Sequence, residues 1–214
     1  MKKTILFLFL FSTILLARPQ SDYKPATETQ KTEMMQKITT ASEQLKTLRC
    51  DFVQQKTISI LSDKMISEGR MSFKQKNKLR WEYTKPYQYE FIMNGDKVMV
   101  NSENTKNVID VNSNKMFREI CKIIVSGING SGIFDQSRFS SKFFAGTKDN
   151  MVILTPKQKE LKQMFNEIHL HFNKSDYAVH TVEIIEMNGD ITHIEMINMQ
   201  INKPLGDEIF NINK

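Results

Sequence analysis

Between Leu48 and Gly95, apolar residues recur at every second position for most of the length. Leu48, Cys50 and Phe52 share one parity, as do Gly69, Met71 and Phe73, then Leu79, Trp81 and Tyr83, and finally Tyr87, Tyr89, Phe91 and Met93. The interleaved positions are mostly Arg, Glu, Lys, Ser, Thr and Gln. Successive side chains on a strand point to opposite faces, so a period of two with one apolar face predicts half-buried antiparallel strands. That face is aromatic and methionine-rich, bulky and soft rather than built from compact Val and Ile. It has to be covered, by the protein itself or by a ligand.

Upstream, Met34, Ile38, Ala41, Leu45 and Leu48 recur at spacings of three and four. This predicts an amphipathic helix over about 29–47, capped by Thr27 or Thr29. Residues 18–28, with Pro19 and Pro25, read as a flexible leader. Turns are expected at 59–64, 75–78 and Asn94-Gly95-Asp96, and Pro86 interrupts the strand pattern. A further hairpin pairs 97–101 with 107–111. From Asn114 the period becomes helical, with Met116, Phe117, Ile120, Cys121, Ile124 and Ile128 as its apolar set. Gly127, Gly130 and Gly132 end this helix in a mobile loop, and FDQSRFSSKFF (134–144) reads as a second short helical piece. Strands resume at 150–155, 165–173, 179–187 and 190–200, the last two joined by Asn188-Gly189-Asp190. The order of helix, many strands, helices and more strands predicts a mainly β (α+β) fold. A single strongly curved antiparallel sheet with helices against its concave face satisfies it.

The first 17 residues, MKKTILFLFLFSTILLA, have the pattern of a signal peptide, with Lys2 and Lys3 before the apolar run Ile5 to Leu16 and the small Ala17 after it. The run is too short for a comfortable membrane span. The first cysteine is Cys50, so no lipid-attachment cysteine lies near the cleavage region. An exported chain that is soluble after cleavage is expected, with residues 29–214 as one domain. The whole chain carries 30 Lys and Arg against 24 acids, or +6; without the two signal lysines the balance is 28 minus 24, or +4. These charges alternate with apolar residues along strands instead of gathering on one stripe, so nucleic acid is not an expected partner. Cys50 and Cys121 both fall on apolar faces, and their spacing leaves open whether they pair in an oxidising compartment or stand as separate thiols.

Taken together, LRCDFVQQKT, the glycine-containing EGRMSF, LRWEYTKP, FIMNGDKV, VILTPK and LKQMFNEIHLHF resemble the LolA family of periplasmic lipoprotein carriers. The most specific matches are Phe52 with Gln54 or Gln55, Gly69, Arg80-Trp81-Glu82-Tyr83, Pro86, Asn94-Gly95 and Leu154-Thr155-Pro156. The resemblance implies an incomplete β-barrel whose mouth is closed by lid helices over a hydrophobic cavity for acyl chains. It also implies a periplasmic location and two partners, an inner-membrane exporter that loads the cargo and an outer-membrane receptor that unloads it. A monomer is expected, without cofactor. On the strand parity, Phe52, Met71, Phe73, Trp81, Tyr89, Phe91 and Met93 would line the cavity. Ile120, Cys121 and Ile124 would face it from the lid, which Gly127, Gly130 and Gly132 would hinge. Many family members carry an Arg-Pro pair that latches the lid where this chain reads Gln75-Lys76-Asn77-Lys78. Lys76 is the candidate latch here, a point charge in place of a guanidinium fork.

Catalytic signatures are weak. GINGSG (127–132) lacks the Lys-Ser/Thr of a phosphate loop. His169 and His171 share a strand face and could take His180 or His193 as a third metal ligand. Their parity opposes that of Ile168, Leu170 and Phe172, so they are expected to face solvent, and no metal is assigned. Glu82, Glu90 and Glu183 are read as part of a solvated outer face. The expected function is thus carriage of lipoprotein acyl chains from the inner to the outer membrane, with no catalysis. The alternatives are a carrier or sensor of a fatty acid or glycolipid, and an envelope interaction module that binds no lipid.

Overall fold

A computed structural model describes residues 22–60, 64–102, 105–110, 125, 126, 128 and 132–212. Twelve strands form one antiparallel sheet in the order β1-β8-β9-β10-β11-β12-β2-β3-β4-β5-β6-β7. The strands are β1 (Lys24–Pro25), β2 (Thr47–Thr57), β3 (Lys64–Lys74), β4 (Lys78–Lys85), β5 (Tyr89–Asn94), β6 (Lys97–Ser102), β7 (Thr105–Asp110), β8 (Phe139–Ala145), β9 (Asp149–Pro156), β10 (Phe165–Asn173), β11 (Val179–Glu186) and β12 (Ile191–Ile201). β2 to β7 form one meander and β8 to β12 a second, joined where β12 pairs with β2. Among the described residues the sheet does not close: β1 and β7 are its two edges.

The expected parity holds across the first meander. Leu48, Phe73, Leu79, Met93 and Val98 form one cross-strand row, and Cys50, Met71, Trp81, Phe91 and Val100 the next. Phe52 lies directly opposite Gly69. A Cβ on Gly69 would overlap the Phe52 ring and the Glu82 carbonyl oxygen, so this position needs glycine for close approach. The Phe52 ring packs on Trp81 at 4.5 Å between centroids and meets Tyr83 edge-on at 5.2 Å. Turn chemistry fixes the register. In the three-residue β3–β4 turn, Lys76 and Asn77 both have left-handed backbone, with φ of 68° and 59°.

Helix α1 spans Glu28–Gln44 and opens with a capping box between Thr27 and Gln30. It is shorter than the 29–47 expected from periodicity. Leu45 is its C-cap and Leu48 belongs to β2, because Thr47 to Thr57 pair with β3. The flexible leader is also corrected in part. Lys24 and Pro25 pair with Ala145 and Phe144 of β8, and Glu28 is already helical.

The second helical piece at 134–144 is a strand instead. Phe139 to Ala145 run antiparallel to Asn150 to Pro156. Phe139 and Phe143, both buried, are four apart, a spacing that satisfies a helix turn and two strand periods equally. A one-turn helix at Lys159–Lys162 has no counterpart among the expected elements.

The outer face is only partly the expected solvated surface. Over β4 to β6 it is covered by the C-terminal segment, where Phe210 is fully buried and packs with Ile212, Ile92 and Met99. Arg80 bridges to Glu90 at 2.6 Å on the same face, leaving the Glu90 side chain 17% exposed.

Candidate functional site

The concave face carries the main core. Met34 and Ile38 of α1 pack into it together with Leu48, Phe73, Phe172 and Val179. Over β9 to β12 the packing is incomplete and leaves a cavity of about 230 Å³. Its floor is Leu154, Ile168, Leu170, Val182, Ile184, Ile194 and Met196, the inward-facing residues of four adjacent strands. Phe165 and Trp81 stand at its sides, and Ser126, Ile128, Gly132, Ile133 and Phe139 complete it from the segment that precedes and opens β8. The lining is almost wholly apolar, so water inside it has few partners.

A larger groove of about 650 Å³ lies between α1 and the β10–β11 turn. Lys37, Gln44, Lys174 and Asp176 share its walls with Ile38, Phe172 and Val179. Its polar lining suits an acyl chain less than the smaller cavity, although it is nearly three times the volume.

The structure distributes the sequence-predicted residues unevenly. Trp81 lines the cavity. Phe52, Met71, Phe73 and Met93 are 3% exposed or less and form close-packed core beside it. Phe91 packs on that core, and Tyr89, 39% exposed, sits at the end of the sheet with its ring 6.0 Å from that of Tyr83. Ile120, Cys121, Ile124, Gly127 and Gly130 lie outside the described residues. Gly132 borders the cavity, where a Cβ would overlap the Ser126 side chain. Lys76 is exposed at the β3–β4 turn. Cys50 is a free, buried thiol that burial pushes up to about 12. Sequence reasoning misses the aliphatic residues of β9 to β12. Their signal is present, since Val182, Ile184, Ile194 and Met196 alternate with Glu183, His193 and Glu195.

The outward residues of β10 to β12 also depart from the expected solvated set. His169 and His171 face away from the cavity, yet their side chains are only 15% and 12% exposed. Hydrogen bonding with His169, supported by His193, pulls the Glu183 carboxyl down to about 2, and Glu183 in turn raises His169. Burial pushes His171 below its ordinary range despite Asp149 beside it.

Residues 43–213 match the family described as outer membrane lipoprotein carrier protein LolA. The outer-membrane lipoprotein carrier protein of Legionella pneumophila (strain Lens) is 21% identical over 147 residues, 69% of each chain. Among solved structures, an uncharacterized conserved protein from Thermus thermophilus superposes with a TM-score of 0.51 at 9% identity, covering 85% of this chain and 93% of that one. The Pseudomonas aeruginosa MucA/MucB complex matches at 0.50 and 8%, covering 84% of this chain and 60% of that one. At such identities the structural likeness concerns the fold.

Proposed function

Because the chain belongs to the LolA family of outer membrane lipoprotein carrier proteins, we propose that it is a periplasmic carrier that takes lipoprotein acyl chains into the concave cavity. On this reading it ferries them from the inner to the outer membrane. The carrying observation is the apolar hollow over β9 to β12, bounded on one side by sheet and on the other by Ser126, Ile128, Gly132, Ile133 and Phe139. Each buried methylene is worth about 0.8 kcal/mol, so one long acyl chain in water costs roughly 10 kcal/mol. A preformed apolar wall offsets much of that cost by burial alone, with no bond made or broken. Among the described residues no helix is long and apolar enough to cross a membrane.

The cavity is smaller than the roughly 300–1,000 Å³ common for ligand sites. Carriage therefore requires Ile128, Ile133 and Phe139 to give way, and we carry the glycines at 127, 130 and 132 as the hinge and Lys76 as the latch. Loading by an inner-membrane exporter, unloading to an outer-membrane receptor and action as a monomer complete the proposal.

The test is mass spectrometry of lipid that co-purifies with the exported protein, followed by displacement of a fluorescent fatty acid. Acylated peptide in the cavity is the expected result. Co-purified free fatty acid or glycolipid would reassign the cargo. No displaceable binding at micromolar concentrations would remove the carrier reading altogether.

A further inference from the structure

The large apolar side chains left in solvent gather at one end of the sheet. Antiparallel pairing puts them there. Ile60 follows β2, Met65 and Ile66 lie near the start of β3, Tyr87 stands between β4 and β5, and Met187 and Ile191 flank the β11–β12 turn. Among the described residues, only Val108 and Ile197 of the exposed large apolar side chains lie away from this end. Strands β11, β12, β2, β3, β4 and β5 are consecutive in the sheet, so these three turns are neighbours and form one rim. At about 4.8 Å between strands, the rim runs roughly 24 Å. The turns at the opposite end are polar: Gln75-Lys76-Asn77, Gly95-Asp96, Gly146-Thr147-Lys148 and Lys174-Ser175-Asp176. Ile60 is 89% exposed and Tyr87 71%, so neither contributes to the core. Apolar surface concentrated in this way marks an interaction site.

Charge and shape indicate what the rim meets. Lys64 opens β3 beside Met65, and the one-turn helix Lys159–Lys162 lies at the same end, where Met164 O accepts from the Met187 N–H. Lys64, Lys159 and Lys162 are exposed and make no ion pair among the described residues, with Glu160 as the one acid on that helix. The nearby carboxylates Glu68 and Glu186 are held by Lys85 and Lys56, each at 2.8 Å. The apolar groups stand singly on turn tips, with polar Ser59 and Asn188 between them and unpaired lysines beside them. Such tips suit the headgroup layer of a bilayer: Tyr, Ile and Met enter the interface while ammonium groups meet phosphates. The cavity reaches toward this end as well, since its border residue Phe165 pairs with Glu186, the neighbour of Met187.

We propose that this rim docks the protein reversibly on an anionic phospholipid surface. Ile60, Tyr87 and Met187 enter the interface, and Lys64, Lys159 and Lys162 contact lipid phosphates. The inference goes beyond carriage, because docking uses turns outside the cavity and needs no cargo.

The experiment is co-sedimentation of the purified exported protein with vesicles of phosphatidylethanolamine and phosphatidylglycerol, against vesicles of phosphatidylcholine. Binding to the anionic vesicles is expected, about tenfold or more weaker to phosphatidylcholine and weakened by salt. Lys159→Gln with Lys162→Gln should reduce it about 25-fold, each lysine near an anionic surface being worth about fivefold. Ile60→Asp with Tyr87→Asp should reduce it about tenfold or more; both side chains lie in solvent, so an unchanged unfolding midpoint is expected for this pair. Val108→Asp, exposed on the edge strand β7, should bind within about twofold of wild type. Displacement of a fluorescent fatty acid, run on the same proteins, reads the cavity separately and should be unaffected by the rim pair. Wild-type protein that displaces fatty acid but does not sediment with anionic vesicles would overturn the rim assignment and leave carriage standing. Wild-type vesicle binding in the Ile60→Asp/Tyr87→Asp pair would overturn it too. Self-association that the pair abolishes, without vesicle binding, would assign the rim to a second copy of the chain instead of lipid.

Discussion

The two meanders of the sheet share a backbone plan and differ in what covers them. β2 to β6 are packed on the concave face, and β4 to β6 are covered on the outer face as well. Inside, Phe52, Met71, Phe73, Leu79 and Met93 fill the concave surface; outside, Phe210 and Ile212 lie over Ile92 and Met99. β9 to β12 present Val, Ile and Leu inward and leave a void behind them. Side-chain size accounts for much of the contrast. Phe and Met reach far enough from a curved sheet to meet their neighbours, whereas branched aliphatics stop short of the opposite wall. The bulky half is therefore the packed half, and the floor of the hollow is mostly compact aliphatic, with Trp81, Phe139 and Phe165 at its borders.

The sharpest way to break this comparison is to truncate one residue in each half. Phe52→Ala should destabilise by about 3–5 kcal/mol, because its ring is 1% exposed and held between Gly69, Trp81 and Tyr83. Ile168→Ala, similarly buried but facing the void, should fall near the low end of its class, about 2 kcal/mol. Urea unfolding measures both, and equal losses would mean that the two halves are packed alike.

Thiol chemistry sharpens the same contrast. Cys50 is 2% exposed and pushed up to about 12, so at pH 8 only about one thiol in ten thousand is ionised, against about a quarter for an ordinary cysteine near 8.5. Native alkylation at Cys50 should run roughly a thousandfold slower than in urea. A Val182→Cys variant in a Cys121→Ser background places a thiol at the cavity wall, and its labelling should be much faster than that of Cys50. Similar rates for the two would remove the hollow as a distinct, openable region.

A smaller effect separates volume from stability. Val182→Phe adds bulk where space exists, so its stability cost should stay below about 1.5 kcal/mol. Fatty-acid affinity should nevertheless fall about tenfold or more, read by displacement fluorescence.

Much of this architecture is legible in the sequence, and the exceptions have physical causes. Strand period and turn chemistry locate β2 to β7, β10 and the Asn188-Gly189-Asp190 turn, where Gly189 has a φ of 86°. Parity correctly sends Ile168, Leu170 and Phe172 inward and His169 and His171 outward. It cannot tell which inward side chains meet a neighbour across the sheet, because that depends on curvature and on the opposing wall. Hence Trp81 alone among the expected strand residues borders the void, while the aliphatics that line it read as ordinary core. At Phe139 and Phe143 two periods coincide, and pairing with β9 decides between them. The outer histidines read as solvated because alternation reports a side but not the crowding on that side.

The smallest expected effect concerns what holds the C-terminal segment over the packed half. Asp207 accepts from Lys74 Nζ at 2.6 Å and Lys78 Nζ at 2.9 Å, and these hydrogen bonds hold its carboxyl below the ordinary range. A carboxyl lowered by folding contributes stability that is fully present above its unfolded value of about 3.9 and is lost as pH falls through the folded value. Asp207→Asn should therefore lower the unfolding midpoint slightly at pH 7, and the difference from wild type should vanish in acid. The Asp207 side chain is 61% exposed, so salt should shrink the neutral-pH difference as well. Burial of Phe210, not this ion pair, then keeps the segment in place, and Phe210→Ala should cost far more at every pH. If Asp207→Asn instead matched Phe210→Ala, the cover over β4 to β6 would be an electrostatic clasp, and the packed half would owe its outer seal to charge rather than to apolar contact.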